Sequence, residues 1–309
     1  MTDLREQATL LALTEAASGK PSRRPWHEVA DLVVAAGSAR DVMDGSAPVY
    51  SQMEEELLGA LASETTEEMV SRWEETIVST LTKLPKSSLI TVLDVEYPDN
   101  LRKIYNRPPF LFICGELLEE DSQSVAVVGT RQASDQGRRR AAELAEALAA
   151  RGVTVVSGLA AGIDTAAHAA ALDAAGRTVA VMGTGIDRIY PAENKGLAER
   201  IVDQGALVSQ FWPGTPPRGT NFPLRNVVTS GIAVGTVVVE ASATSGAKMQ
   251  ARLALEHGKR LLLMSDLVMN EEWAQRYASR RGAIVVSSVE DVLAVLETER
   301  SLPTALQLF

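Results

Sequence analysis

The chain has 309 residues, of which 46% are hydrophobic, a formal net charge of −10 and a single cysteine, Cys114. These values predict a soluble globular protein with a sizeable core and no disulfide framework, in a reducing compartment such as the cytoplasm. No apolar run approaches the ~20 residues of a membrane span, the start lacks a signal-peptide core, and the acidic balance argues against an all-over nucleic-acid coat while leaving room for a local basic groove.

Residues 1–84 read as a helical domain. "REQATLLALTEAA", "WHEVADLVVAAG" and "ETTEEMVSRWEETIVSTLTKL" carry apolar residues at three- and four-residue spacing, divided by "SGKPSRRP" and "DGSAPVYS". From about residue 87 the texture changes. Nine short apolar runs ("LITVLD", "PFLFICGE", "SVAVVGT", "VTVVSG", "TVAVMGTG", "ALVSQF", "TVVVEA", "RLLLMS", "AIVVSS") alternate with amphipathic stretches such as "GRRRAAELAEALAARG" and "AENKGLAERIVDQG". Continuous apolar strands between helices predict an α/β fold over 85–298, a doubly wound and mostly parallel sheet covered on both faces. Residues 299–309 read as a short tail without a winged helix.

Ligands of such sheets lie beyond the strand C-termini. Three successive strand ends, "VVGTRQAS", "VVSGLAAGID" and "VMGTGID", are rich in small residues that let a ligand approach backbone N–H groups. Ser157 and Gly158 end the second, and Asp164 is placed to cap the following helix, with His168 one turn on. Glycines at such junctions also serve close packing, and the residues alone leave both readings open. The stretches match neither the dinucleotide pattern nor the P-loop, and Ser157 lacks the preceding glycine of a nucleophile elbow. No catalytic residue is assigned. His27, His168 and His257 are far apart, so neither a metal nor another cofactor is expected.

"FWPGTPPRGTNFPLRNVVTSG", from Phe211 to Gly231, reads as a long, proline-stiffened loop. Arg218 and Arg225 supply cations, Phe222 and Trp212 flat faces, and Asn221 and Asn226 hydrogen bonds. Arg131 and the run Arg138-Arg139-Arg140 add charge near the first strand-end loop. Aromatic surface beside arginine suits single-stranded nucleic acid. The same residues also fit a rigid corner with Phe222 packed inside.

"VAVVGTRQAS", "VTVVSGLAAGIDTAAHAAAL", "AVMGTGIDRIYPAENKGLAERI", "GALVSQFWPGTPPRGTNFPLRN" and "VVVEASATSGAKMQARLALEHGK" occur in the order of the DprA (Smf) family of DNA-processing proteins, which the chain resembles over residues 88–265. The resemblance implies an extended Rossmann-like fold, single-stranded DNA binding, loading of a RecA-type recombinase, a homodimer and no catalytic turnover. It carries DNA contacts onto Gly129, Thr130 and Arg131 (threonine replacing the family's serine), Ser157 and Gly158, and Phe222, Pro223, Arg225 and Asn226. Residues 1–84 lack the family's helix–hairpin–helix, and Lys248 replaces an apolar residue in "TSGAKMQA". Such departures leave room for a specialised defence paralogue. The competing reading is a nucleotide sensor or phosphoribohydrolase-like enzyme, for which Glu240 is the carboxylate to test, though Glu240 also reads as a helix-capping or loop-anchoring acid. "TALQLF" resembles peptides that dock on the sliding clamp, and also reads as an apolar terminus folded on its own domain.

Overall fold

The computed structural model describes residues 2–19 and 25–300. Polar caps cut the helical region more finely than its apolar spacing suggests. α1 (Leu4–Ser18) starts where Asp3 accepts from the Glu6 N–H, α2 (Trp26–Ala36) stops at the left-handed Gly37, and Ser38, Ser51 and Thr66 cap α3 (Ala39–Met43), α4 (Gln52–Glu64) and α5 (Glu67–Lys83). Among the described residues five helices therefore precede the first strand, where three amphipathic stretches stand out in the sequence. α1 is buried nearly all round and packs on α5, α3 and α2, so it is the axis of this region.

The nine apolar runs form one nine-stranded sheet: β1 (Ser87–Thr91), β2 (Phe110–Gly115), β3 (Val125–Val128), β4 (Val155–Ser157), β5 (Thr178–Val181), β6 (Ala206–Ser209), β7 (Gly235–Val238), β8 (Arg260–Met264) and β9 (Ala283–Val286). The order is β1-β2-β6-β5-β4-β3-β7-β8-β9. β1 and β2 pair antiparallel, as do β2 and β6, and every other neighbouring pair is parallel. A short α6 (Asp99–Arg102) lies between β1 and β2.

The crossovers are α7 (Asp135–Ala149), α8 (Ile163–Asp173), α9 (Lys195–Gln204), α10 (Asn221–Ile232) and α11 (Gly246–Glu256), followed by α12 (Ser265–Asn270), α13 (Glu272–Ala278) and α14 (Val289–Arg300). α8 packs against α7 and α9, whereas α10 packs against α11 and α6, so the sheet is covered on both faces. β3 to β7 are accordingly buried along their whole length. The winding reverses between β3 and β7, which places a switch-point crevice beside the C-terminal end of β3. No described helix is long and apolar enough to cross a membrane. The clamp-like "TALQLF" lies outside the described residues.

Trp212 stacks on Phe110 at 4.8 Å and meets Trp73 at 4.6 Å and Trp26 at 5.1 Å. It therefore joins the helical region to the sheet rather than offering a flat face to a ligand. Gln7 adds a second tie, its amide donating to the Leu89 carbonyl at 2.9 Å.

Candidate functional site

The loops after β3, β4 and β5 converge with the start of α10. The β3 loop runs through Gly129 and Thr130 to an exposed Arg131. Its backbone is fixed from two sides, with Thr130 N–H donating to the Glu240 carbonyl at 2.7 Å and Ile163 N–H to the Thr130 carbonyl at 3.3 Å. Gly162, at φ +82°, lies against the Thr130 and Arg131 carbonyls where a Cβ would collide.

Asp164 differs from its expected role. α8 begins at Ile163 behind Gly162, so Asp164 lies in the first turn, not at the cap. Its carboxylate reaches back to accept from the N–H groups of Gly158 (3.1 Å) and Ala160 (3.3 Å). Two of the N–H groups expected to face an external anion are thus taken by an internal one. The Ser157 hydroxyl is buried and donates to the Val127 carbonyl at 2.7 Å, so it does not reach the site surface. His168 turns to Thr178 Oγ1 at 2.6 Å instead of to Asp164. Because that hydroxyl donates to the Val155 carbonyl, Nδ1 carries the proton and Nε2 is left without a partner. Burial, helped by the Arg225 charge, pushes His168 down to about 3, so it is a neutral core residue.

Arg225 is the largest departure from expectation. "NFPLRNVVTSGI" is helix, not loop, with Pro223 in the first turn where its missing N–H costs nothing. Arg225 therefore points inward and is only 7% exposed. Its Nη1 donates to the Val181 carbonyl at 3.1 Å, its charge faces Asp164, and its guanidinium occupies the space where a Cβ on Gly158 would lie. It supports the Ser157–Gly158 turn from beneath instead of standing solvated. Burial raises the Asp164 pKa more than Arg225 and the two N–H groups lower it. Asn226 is also buried, and its amide reaches the Gly246 carbonyl at 3.4 Å, joining α10 to α11.

What remains at the surface is compact. The Arg131 guanidinium lies 4.6 Å from the centre of the Phe222 ring. That half-buried ring rests on Gly183, whose hypothetical Cβ would fall 2.7 Å from Phe222 Cδ1. Tyr190 meets Phe222 at 6.0 Å. With Gly158, Ala160 and Thr184 these residues line a pocket of about 100 Å³. Tyr190 is absent from the sequence reading, although an aromatic directly following the third glycine-rich strand end, in "GTGIDRIYP", was a usable signal. Arg218 is exposed on the loop before α10, and Asn221 steadies that loop by donating to the Gly183 carbonyl at 3.1 Å.

The arginine run contributes less than its charge suggests. Arg138 bonds to Ala133 and Asp135, and Arg140 pairs with Asp266 at 2.5 Å. Glu240 does not line the pocket: its carboxylate accepts from the Ser134 N–H and hydroxyl, the loop-anchoring role. Among the described residues no cluster of histidine, cysteine, aspartate and glutamate could hold a metal.

Residues 88–297 match the sequence profile of the family described as DNA recombination-mediator protein A. The chain belongs to that family. It is 40% identical to the Smf protein of Escherichia coli over 215 residues, which is 69% of this chain and 58% of that one. It is 38% identical to the DNA processing protein DprA of Streptococcus pneumoniae over 208 residues, 67% of this chain and 73% of that one. The matched stretch thus spans little more than half of the Escherichia coli relative. Among solved structures, Streptococcus pneumoniae DprA superposes with a TM-score of 0.64 at 29% identity, covering 94% of this chain and 95% of that one. Helicobacter pylori DNA processing protein A, solved for its single-stranded DNA binding mode, shares the fold at a TM-score of 0.62 and 23% identity, covering 69% of this chain and 97% of that one. The Rossmann-like, mostly parallel architecture expected from the sequence is that of these relatives.

Proposed function

We propose that this protein binds single-stranded DNA at the pocket of Arg131, Phe222 and Tyr190, shelters it and passes it to a RecA-type recombinase. The observation that carries the reading is the Arg131 guanidinium beside a half-buried aromatic ring at the pocket wall. A base stacks on aromatic surface and its phosphate meets the cation, which serves any sequence. Arg218 extends the cationic rim. Membership of the recombination-mediator family supports the hand-over, action as a homodimer and a cytoplasmic site of work. No observation favours a nucleotide enzyme, since Glu240 is engaged with Ser134.

The test is a titration of fluorescent poly-dT, a matching duplex and AMP at several salt concentrations. Tight, salt-dependent binding of poly-dT over duplex is the expected result. Binding of AMP without poly-dT overturns the reading. Faster nucleation of recombinase filaments on poly-dT checks the hand-over, and sedimentation of the free protein checks the dimer.

A further inference from the structure

The loop that presents Arg131 is fastened at both ends to one residue of another strand end. At its start, Thr130 N–H donates to the main-chain carbonyl of Glu240 at 2.7 Å. At its finish, the Ser134 N–H donates to the Glu240 carboxylate at 3.1 and 3.2 Å, and the Ser134 hydroxyl donates to Oε2 at 2.7 Å. The same hydroxyl accepts from Gly137 N–H at 2.9 Å, so the clamp also sets where α7 begins. Gly137 leaves the room for it, because a Cβ there would overlap Oε2. Glu240 itself is absent from the pocket wall.

From this geometry we infer that Glu240 is a positioning residue for DNA, holding the β3 loop so that the Arg131 guanidinium lies over Phe222. The inference rests on the reading of the pocket given above. Its sign sets it apart from simple electrostatics. A carboxylate near a polyanion site repels the ligand, so its removal should tighten binding if charge alone matters. A clamp that places the cation predicts the opposite.

The experiment measures poly-dT binding and its salt dependence for Arg131→Ala, Glu240→Ala, the double variant and Gly137→Ala. Gly137→Ala keeps the charge but displaces the carboxylate, and alanine suits a helix better than glycine. It therefore covers the case in which Glu240→Ala fails to fold. Glu240→Ala and Gly137→Ala should each weaken binding by roughly two- to fivefold, the range for one exposed charge contact. Each should also lower the salt slope by about 0.7, one phosphate on a single strand. The double variant should bind no more weakly than Arg131→Ala alone, because both changes remove the same contact. Unchanged or tighter binding by Glu240→Ala while Arg131→Ala weakens it overturns the inference and leaves the pocket standing. Losses that multiply in the double variant also overturn it. An inert Arg131→Ala removes the pocket reading and this inference together.

Discussion

Replacing Arg225 by alanine should destabilise the fold before it changes poly-dT binding. The guanidinium is buried, donates to the Val181 carbonyl and offsets the buried Asp164 carboxylate. Removing one partner of such a pair leaves an uncompensated charge, at a cost of about 3–5 kcal/mol. For a chain of this size that corresponds to a fall in Tm on the order of 10 °C. The deficit should depend on pH, with a definite sign. Asp164 has its folded-state pKa raised above the ordinary 3.8, so the folded protein holds that proton more tightly than the unfolded chain. Its contribution is therefore fully present in acid and lost as pH rises through the raised value. Without Arg225 the pKa rises further, and the gap between variant and parent should widen from pH 4 to pH 7.5. Urea unfolding followed by tryptophan fluorescence at the two pH values measures it. A variant within about 1 kcal/mol of the parent at pH 7.5, with a reduced salt slope for poly-dT, would show Arg225 to be a phosphate contact and refute the reasoning.

Phe222→Ala should cost about 1–3 kcal/mol of single-strand binding, because the ring lines the pocket beside Arg131; a lowered melt with intact binding would assign the ring to packing instead. Trp212→Ala should lose about 3–5 kcal/mol of stability by opening the junction with Trp26, Trp73 and Phe110, while the salt slope of DNA binding stays put. His168, held down to about 3 against an ordinary 6.5, binds its proton more readily in the unfolded chain, so stability should fall as pH drops through 6.5 toward 3. A His168 ring resonance titrating near 6.5 by NMR would contradict that assignment.

The nine strands were legible because short apolar runs of three to six residues, set between amphipathic helical stretches, have few other uses in an α/β chain. The antiparallel pairing of β1 and β2 was not, since a short apolar run carries no direction. The one clue was that the segment between them, "EYPDNLRKIYNRPP", holds only the four residues of α6 as helix, little for a parallel crossover. The inward turn of Arg225 was readable in principle. Arg225, Thr229 and Ile232 recur at four and three residues and line the buried face of α10. Taking Pro223 as a loop residue hid that stripe, although proline is tolerated in a first helical turn. Asp164 and Glu240 were singled out as carboxylates of interest, but their hydrogen-bond partners depend on loop geometry that no spacing encodes. Trp212 is similar, because a tryptophan in a proline-rich loop fits a ligand face as well as a domain junction.

Carboxylates on the loops around the pocket are held in internal hydrogen bonds, while several arginines there stay exposed. Asp164 accepts from Gly158 and Ala160, Glu240 from Ser134, and Asp187 from Gly214 N–H at 2.7 Å. Arg131, Arg188 and Arg218, on the same group of loops, are exposed and have no ion pair among the described residues. At ~0.1 M salt the Debye length is about 10 Å, so acids on distant helices such as α4 hardly reach the pocket. Affinity should then follow the few local cations and not the net charge of −10. Three phosphate contacts on a single strand give a slope of log affinity against log salt near −2, at about 0.7 each. Measured with poly-dT short enough to occupy one pocket, a slope near −2 fits these three arginines. A slope steeper than about −4 would require six or so contacts, and would mean that cations beyond these three arginines grip the strand.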